Sequence, residues 1–252
     1  MKIYPQTFYK TAQLEAPYNL SHRQIRIMQV DPTTKKEMFI DLFGCRDIEY
    51  LRKKLIYFAP SKAYISASCY LNPEVVSLKL KQKPKTYRYL PNILLSSDFV
   101  MDFDDGAVNS LLQLLRAYDF LREKGYKEFK AVQTKRGFHL WILDWYAKEC
   151  QNNVFDKPFA REKFIFSKKC ELCAELESQN IEFDKPISID TRRIFKLWGS
   201  LTDDYVICRT WNDPEALAKE FMKSKTYLPN ITENQAKAKR ILPDEGSLDI
   251  GS

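Results

Sequence analysis

Two aspartates separated by a single residue, Asp102 and Asp104, lie in the run Phe99-Val100-Met101-Asp102-Phe103-Asp104. Its β-forming residues predict a short strand. Side chains alternate along a strand, so both carboxylates project from one face while Met101 and Phe103 point into a core. Two carboxylates a few ångströms apart repel unless a cation joins them, and Mg²⁺ takes carboxylate oxygens together with water and substrate phosphates. The pair is therefore a cradle for a divalent ion. The same residues also fit a solvated strand end that runs into the acidic turn Asp104-Asp105-Gly106.

Two further segments carry matching charge. Thr134-Lys135-Arg136-Gly137 reads as a tight turn between two hairpin arms, Lys130 to Gln133 and Phe138 to Leu143, with His139 just beyond it. Arg supplies a planar fork, Lys a point charge and glycine an approachable backbone, which suits triphosphate oxygens. The bland alternative is a hairpin with exposed cations and a half-buried histidine. Farther on, a short apolar strand Ile187 to Ile189 is expected to end at Asp190, with Arg193 and Lys196 following. Those two cations, three residues apart, would face one ligand from a turn of helix. They form either a surface ion-pair cluster worth ~0 to 1 kcal/mol, or a wall that holds the phosphates bridged by a metal on Asp190.

The elements that must position these groups are legible as patterns. Asp47 to Phe58 has helical apolar spacing, and Ala63 to Leu71 alternates with β-formers. Ala107 to Lys124 places leucines at helical intervals and stops at Gly125, a C-cap signal. Glu162 to Gln179 reads as a helix and Tyr205 to Arg209 as a strand. Strands and helices in this order, with hairpins, imply an α+β sheet with helices on one face. No linker, repeat or low-complexity stretch interrupts residues 1–229, expected to be a single catalytic body with an N-terminal portion to about 91 and a motif-bearing core over 92–211. The polar stretch 230–252 is expected to be loosely ordered or to dock a partner.

Composition excludes several classes. At 252 residues with 44% hydrophobic and 13% aromatic content the chain can bury a sizeable core, so disorder is not the default. The formal charge of +7 is spread along the chain and permits polyanionic partners. No apolar run approaches the roughly 20 residues needed to span a bilayer, and the first residues lack a secretory signal. A soluble, cytoplasmic, nucleoid-associated protein without a membrane partner is expected. Six scattered cysteines look like reduced buried thiols. Cys170 and Cys173 sit on one helix without two further ligands nearby, so no structural zinc is expected.

Together, and in this order, the three charged segments resemble the motifs of the archaeo-eukaryotic primase superfamily, especially the primase small (catalytic) subunit. The family's D-h-D strand is matched by VMDFDD from Val100. Its S-G-x-R-G-x-H strand turn is matched in part by QTKRGFHLWILD, residues 133–144, and its D-x-x-R-h-h-R-h-P-G-S-h-H segment by DTRRIFKLWGSLT, residues 190–202. The departures are Gln133 and Thr134 for the serine and first glycine of the turn, Trp198 for the proline and Thr202 for the last histidine. Asp105 to Phe138 also lacks the family's zinc-binding insertion.

The resemblance implies a primase-type core with an RRM-like antiparallel sheet and helices packed on it, plus an N-terminal α/β portion. It assigns Asp102, Asp104 and Asp190 to two Mg²⁺ or Mn²⁺ ions. Lys135, Arg136, His139 and Lys196 would hold the incoming triphosphate, supported by Arg193 and Ser200. It further implies template-directed nucleotidyl transfer with a single-stranded DNA template and NTP or dNTP substrates, and a primase large subunit or another replication protein as partner. Two other classes remain open to the same residues: a metal-dependent nuclease or phosphodiesterase, and a non-catalytic nucleic-acid-binding subunit on a primase fold.

Overall fold

A computed structural model describes residues 4–31, 33–74, 93–150, 153–155, 160–202 and 206–223. The expected tail over 230–252 lies outside the described residues, as does Tyr205. The fold is α+β with two antiparallel sheets. The first contains β1 (Arg23–Val30), β2 (Glu37–Leu42), β3 (Lys62–Tyr70), β4 (Leu94–Ser97) and β8 (Ile194–Lys196). One edge of β3 pairs with β1; its other edge pairs with β8 over its first half and with β4 over its second. The second sheet contains β5 (Phe99–Phe103), β6 (Phe129–Gln133), β7 (Phe138–Ile142) and β9 (Arg209–Trp211), in the order β5-β7-β6-β9.

Helix α1 (Pro5–Thr11) lies against α2 (Ile48–Phe58), which Asp47 caps by accepting from the Tyr50 N–H at 2.7 Å. Such a cap is worth about 1 kcal/mol. Helix α3 (Ala107–Glu123) ends as expected, with Gly125 at φ +86. A short α4 (Trp145–Cys150) precedes α5 (Ala160–Ser178), and α6 (Lys185–Ile189) and α7 (Pro214–Lys223) complete the set. Among the described residues no helix is long and apolar enough to cross a membrane.

Strand alternation makes the second sheet the middle layer. Phe99, Met101 and Phe103 of β5 join Leu140 of β7 in a core shared with Leu114 of α3 and Leu217 of α7. On the opposite face Val100, Val132 and Trp141 pack with Phe195, Trp198 and the N-terminal sheet residue Ile65. Each such side chain removed from water contributes roughly 1.5–3 kcal/mol. The chain crosses from one sheet to the other at Asp98, between β4 and β5. There the buried Asp98 carboxylate meets the Arg23 guanidinium at 2.9 Å, and Arg23 also donates to the Tyr18, Ser66 and Ala67 carbonyls. Saturating the guanidinium in this way is what makes a buried charge tolerable.

Two expected elements differ. Ile187 to Ile189 is not a strand but part of α6, because Asp184-Lys185-Pro186 is a helix start: Asp184 caps by accepting from the Ile187 N–H at 3.1 Å, and the Pro falls in the first turn. The strand expected over 205–209 is displaced to Arg209–Trp211, where β9 pairs with β6, and Ile207 makes only an isolated bridge to Leu201.

Candidate active site

The polar positions of β5 and β7 face the gap between the two sheets. Asp102 and His139 are register partners across β5 and β7. They therefore share the face opposite Met101 and Leu140. Asp104 follows at the end of β5. A cavity of about 310 Å³ opens here, lined on the second sheet by Asp102, Asp104 and His139, on the first by Tyr64 of β3 and Arg193 to Lys196 of β8, and at the mouth by Thr134, Lys135 and Arg136. Its size is at the small end of ligand pockets, roughly 300–1,000 Å³.

Each wall has a local reason. The turn after β6 closes by hydrogen bonds from the Thr134 N–H to the Gly137 carbonyl at 2.9 Å and from the Gly137 N–H to Thr134 Oγ1 at 3.3 Å. Gly137 is required by close approach: a Cβ there would stand 1.9 Å from the Phe103 carbonyl oxygen. Lys135 and Arg136 are thereby held exposed beside the end of β5. On the facing wall Lys196 is opposite Tyr64 in the β3–β8 register, and its Nζ donates to the Tyr64 hydroxyl at 3.0 Å and lies 4.4 Å from the ring centroid. Arg192 is diverted outward to a bidentate pair with Glu162 of α5 at 3.0 and 3.1 Å, leaving Arg193 to line the cavity. Arg193 and Lys196 thus share the cavity from a strand and the residue before it, not from a turn of helix.

Electrostatics on the two walls are opposed. Burial, then the Asp104 and Asp184 carboxylates, push Asp102 up to about 6, while Arg193 pulls it back. Burial, then the charges of Lys196 and Arg193, push His139 down to about 3, so the imidazole is neutral at pH 7. Its Nε2 lies 3.5 Å from Asp102 Oδ1, its Nδ1 has no hydrogen-bond partner, and its ring packs edge-on against Phe195 at 5.3 Å. His139 is therefore not one of the cations; it can offer a neutral hydrogen bond.

Two of the expected residues are not brought into the cavity. Asp190 is at the far end of α6, where its Oδ1 accepts from the Arg192 N–H at 2.8 Å and its charge acts on the buried Lys169 ammonium. Asp184, at the near end, instead has its N–H donating to the Asp102 carbonyl at 2.9 Å and its charge acting on Asp102. Neither Asp184 nor Asp190 lines the cavity. Ser200 is buried, its hydroxyl spent on the Leu197 carbonyl at 2.7 Å in the turn after β8. Tyr64 is the cavity residue that sequence reasoning passed over; only its opposite parity to Ala63 and Ile65 set it off the core face. Asp184 acts on Asp102 by its charge from outside the cavity lining.

Among the described residues no three His, Cys, Asp or Glu side chains converge as a ready metal cage. The Asp102–Asp104 pair nonetheless fits Mg²⁺, which is commonly held by one or two carboxylates and completed by water and substrate phosphates. Asp102 is raised first by burial and then by the neighbouring carboxylates, and a bound cation would offset both.

No family model matches this chain, and no curated protein is similar to it in sequence. Among solved structures, the polymerase domain of Mycobacterium tuberculosis ligase D, in complex with DNA, aligns with a TM-score of 0.43 and 11% identity, covering 82% of this chain and 84% of that one.

Proposed function

We propose that this chain is a divalent-metal-dependent nucleotidyltransferase of the primase–polymerase kind, adding nucleotides to a nucleic-acid strand on a single-stranded DNA template. One observation carries the reading: the carboxylates of Asp102 and Asp104 share a single cavity with Lys135 and Arg136 at its mouth and Arg193 and Lys196 on its facing wall. Anions facing cations at that spacing suit a substrate that is itself a polyanion bridged by a cation, which is what a metal-bound nucleoside triphosphate is.

Asp102 and Asp104 would hold Mg²⁺ or Mn²⁺, with the Asp184 charge reaching Asp102 from outside the cavity lining. When bound, the ion supplies positive charge that offsets the carboxylates and the triphosphate. Lys135 and Arg136 would grip the phosphates from the turn, and Arg193 and Lys196 from β8. Lys196 is aimed by its bond to Tyr64. The neutral His139 offers a hydrogen bond and transfers no proton. The reaction is attack of a 3′-hydroxyl, or of a first nucleotide when priming, on the α-phosphate, with pyrophosphate leaving. The protein contributes position and electrostatic complementarity.

The test is a template-directed extension assay with and without primer, run separately with NTPs and dNTPs and with Mg²⁺ or Mn²⁺. Incorporation that vanishes in Asp102→Asn and Asp104→Asn is expected. The lack of a three-ligand cage among the described residues favours a second reading, a nucleotide- or nucleic-acid-binding module without chemistry. Metal-dependent triphosphate binding in calorimetry with no incorporation under any of these conditions would establish it instead.

A further inference from the structure

Behind Asp104 a second cavity of about 640 Å³ opens between α3 and α6. Its frame is tied at two points: the Glu182 N–H donates to Gln113 Oε1 of α3 at 3.2 Å, and the Asp184 N–H to the Asp102 carbonyl at 2.9 Å. Five carboxylates line it, from the turn after β5 (Asp104, Asp105), the end of α5 (Glu177) and the segment entering α6 (Glu182, Asp184). Among the described residues the one cation of the lining is Lys185, which is already paired with Glu177 at 2.7 Å. In a chain of formal charge +7 this is a concentrated negative field. The least exposed polar residue of the wall is Ser110, 1% exposed. A serine inside a helix usually bonds back to the carbonyl one turn earlier or points to water. Ser110 does neither, and its hydroxyl has no hydrogen-bond partner. A buried hydroxyl left unpaired in the wall of an acidic cavity costs free energy unless a ligand completes it.

We infer that this cavity binds a free aliphatic polyamine, a chain of methylenes carrying two or more ammonium groups. The side chains of the lining are mostly hydrogen-bond acceptors, and an ammonium donates without accepting. A peptide would bring carbonyls as well, for which the charged donor of the lining, Lys185, is already engaged. The carboxylates come from three elements, and among the described residues no three ligating side chains converge as a site for a metal ion. Anions spread around a wall, not gathered at a point, match cations spaced along a flexible stem. Phe103, Phe183 and Pro186 supply apolar surface in the same wall. Methylenes pack on such surface while their charged heads reach the carboxylates, and Ser110 offers one ammonium a buried acceptor oxygen. The sign of the field excludes nucleic acid. Asp104 lines both cavities, so a polycation here weakens divalent-ion binding at Asp102 and Asp104, and by linkage the ion weakens the polycation to the same degree. That consequence rests on the nucleotidyltransferase reading; the polyamine site does not.

The test is calorimetry at low salt on the full chain, with spermidine as the probe and without nucleotide or divalent ion. Saturable binding at a single site is expected. Glu182→Gln/Asp105→Asn is expected to weaken it by about tenfold or more, because each carboxylate lost removes a charge-assisted hydrogen bond. Ser110→Ala is expected to weaken it several-fold, and Asp190→Asn, which removes a carboxylate outside the lining, to leave it unchanged. Thermal unfolding checks that each variant keeps the fold, and Glu182→Gln alone replaces the pair if the pair does not. Spermidine binding that ignores the Glu182 and Asp105 substitutions overturns the site, and an equal loss in Asp190→Asn overturns it as general charge attraction. Mg²⁺ or tetralysine bound through Glu182 and Asp105 more tightly than spermidine overturns the ligand class, in favour of a metal ion or a basic protein segment respectively. None of these readings uses incorporation, so a chain that fails as a polymerase still decides them.

Discussion

Replacing Asp102 by Asn should make the metal-free protein more stable at neutral pH and remove its response to Mg²⁺. Asp102 stands at about 6 in the fold against 3.8 unfolded, raised first by burial and then by Asp104 and Asp184. A carboxylate raised on folding contributes stability that is fully present below the unfolded value and is lost as pH rises through the folded one. The shift corresponds to about 3 kcal/mol once both states are ionised. Asp102 has only 21% of its side chain exposed, so screening takes little from that figure. Asparagine is neutral throughout, so its advantage over wild type should grow from about 0.5 kcal/mol at pH 4 to about 3 kcal/mol at pH 8. Urea unfolding of both proteins at several pH values measures this, with equal m-values as the sign that the unfolded states match. Millimolar Mg²⁺ should then narrow or reverse the difference by stabilising only wild type. A difference flat across pH, or a variant that responds to Mg²⁺ like wild type, would refute the account of Asp102 as a strained metal-ready anion.

Other changes discriminate among the neighbours. Asp184→Asn should lower the Asp102 titration, followed by carboxyl NMR, only part of the way, since burial and Asp104 remain, whereas Asp190→Asn should leave it nearly unchanged. Gly137→Ala drives a methyl group against the Phe103 carbonyl and should cost on the order of 1–3 kcal/mol, read as a lowered urea midpoint. Lys196→Ala should raise the KM for nucleotide more than it weakens DNA binding, and Tyr64→Phe should give a smaller KM effect of the same sign. Asp98→Asn leaves Arg23 buried without its partner and should destabilise by about 3–5 kcal/mol, visible in thermal unfolding.

Much of the site was legible because it depends on local rules. The D-h-D alternation fixed which way Asp102 and Met101 point, and the structure places Met101 fully buried. Leucine spacing and Gly125 bounded α3 to within a residue. The turn around Lys135 and Arg136 followed from its flanking apolar arms. What was not legible depends on partners distant in the chain. Nothing near residue 64 says that β3 will pair with β8 and deliver Tyr64 to Lys196. The motif resemblance names Asp190 as the third carboxylate, and the apolar triplet before it reads as a strand. In the structure those residues are a helix capped by Asp184, which puts Asp184 rather than Asp190 beside the backbone of Asp102.

The rings between the two sheets set the working distance of the cavity. Trp141 meets Phe195 at 5.3 Å and Trp198 at 5.2 Å, edge to face. Phe195 sits between Ile194 and Lys196 in the strand that carries the cations, and beneath the histidine beside the carboxylates. Anion bank and cation bank are thus calibrated by aromatic thickness, with the covalent crossing at Asp98 as their fixed corner. Thinning that spacer would shift the charged walls relative to each other without touching an ionisable group, so interior hydrophobic substitutions can act here as tuning screws on substrate grip.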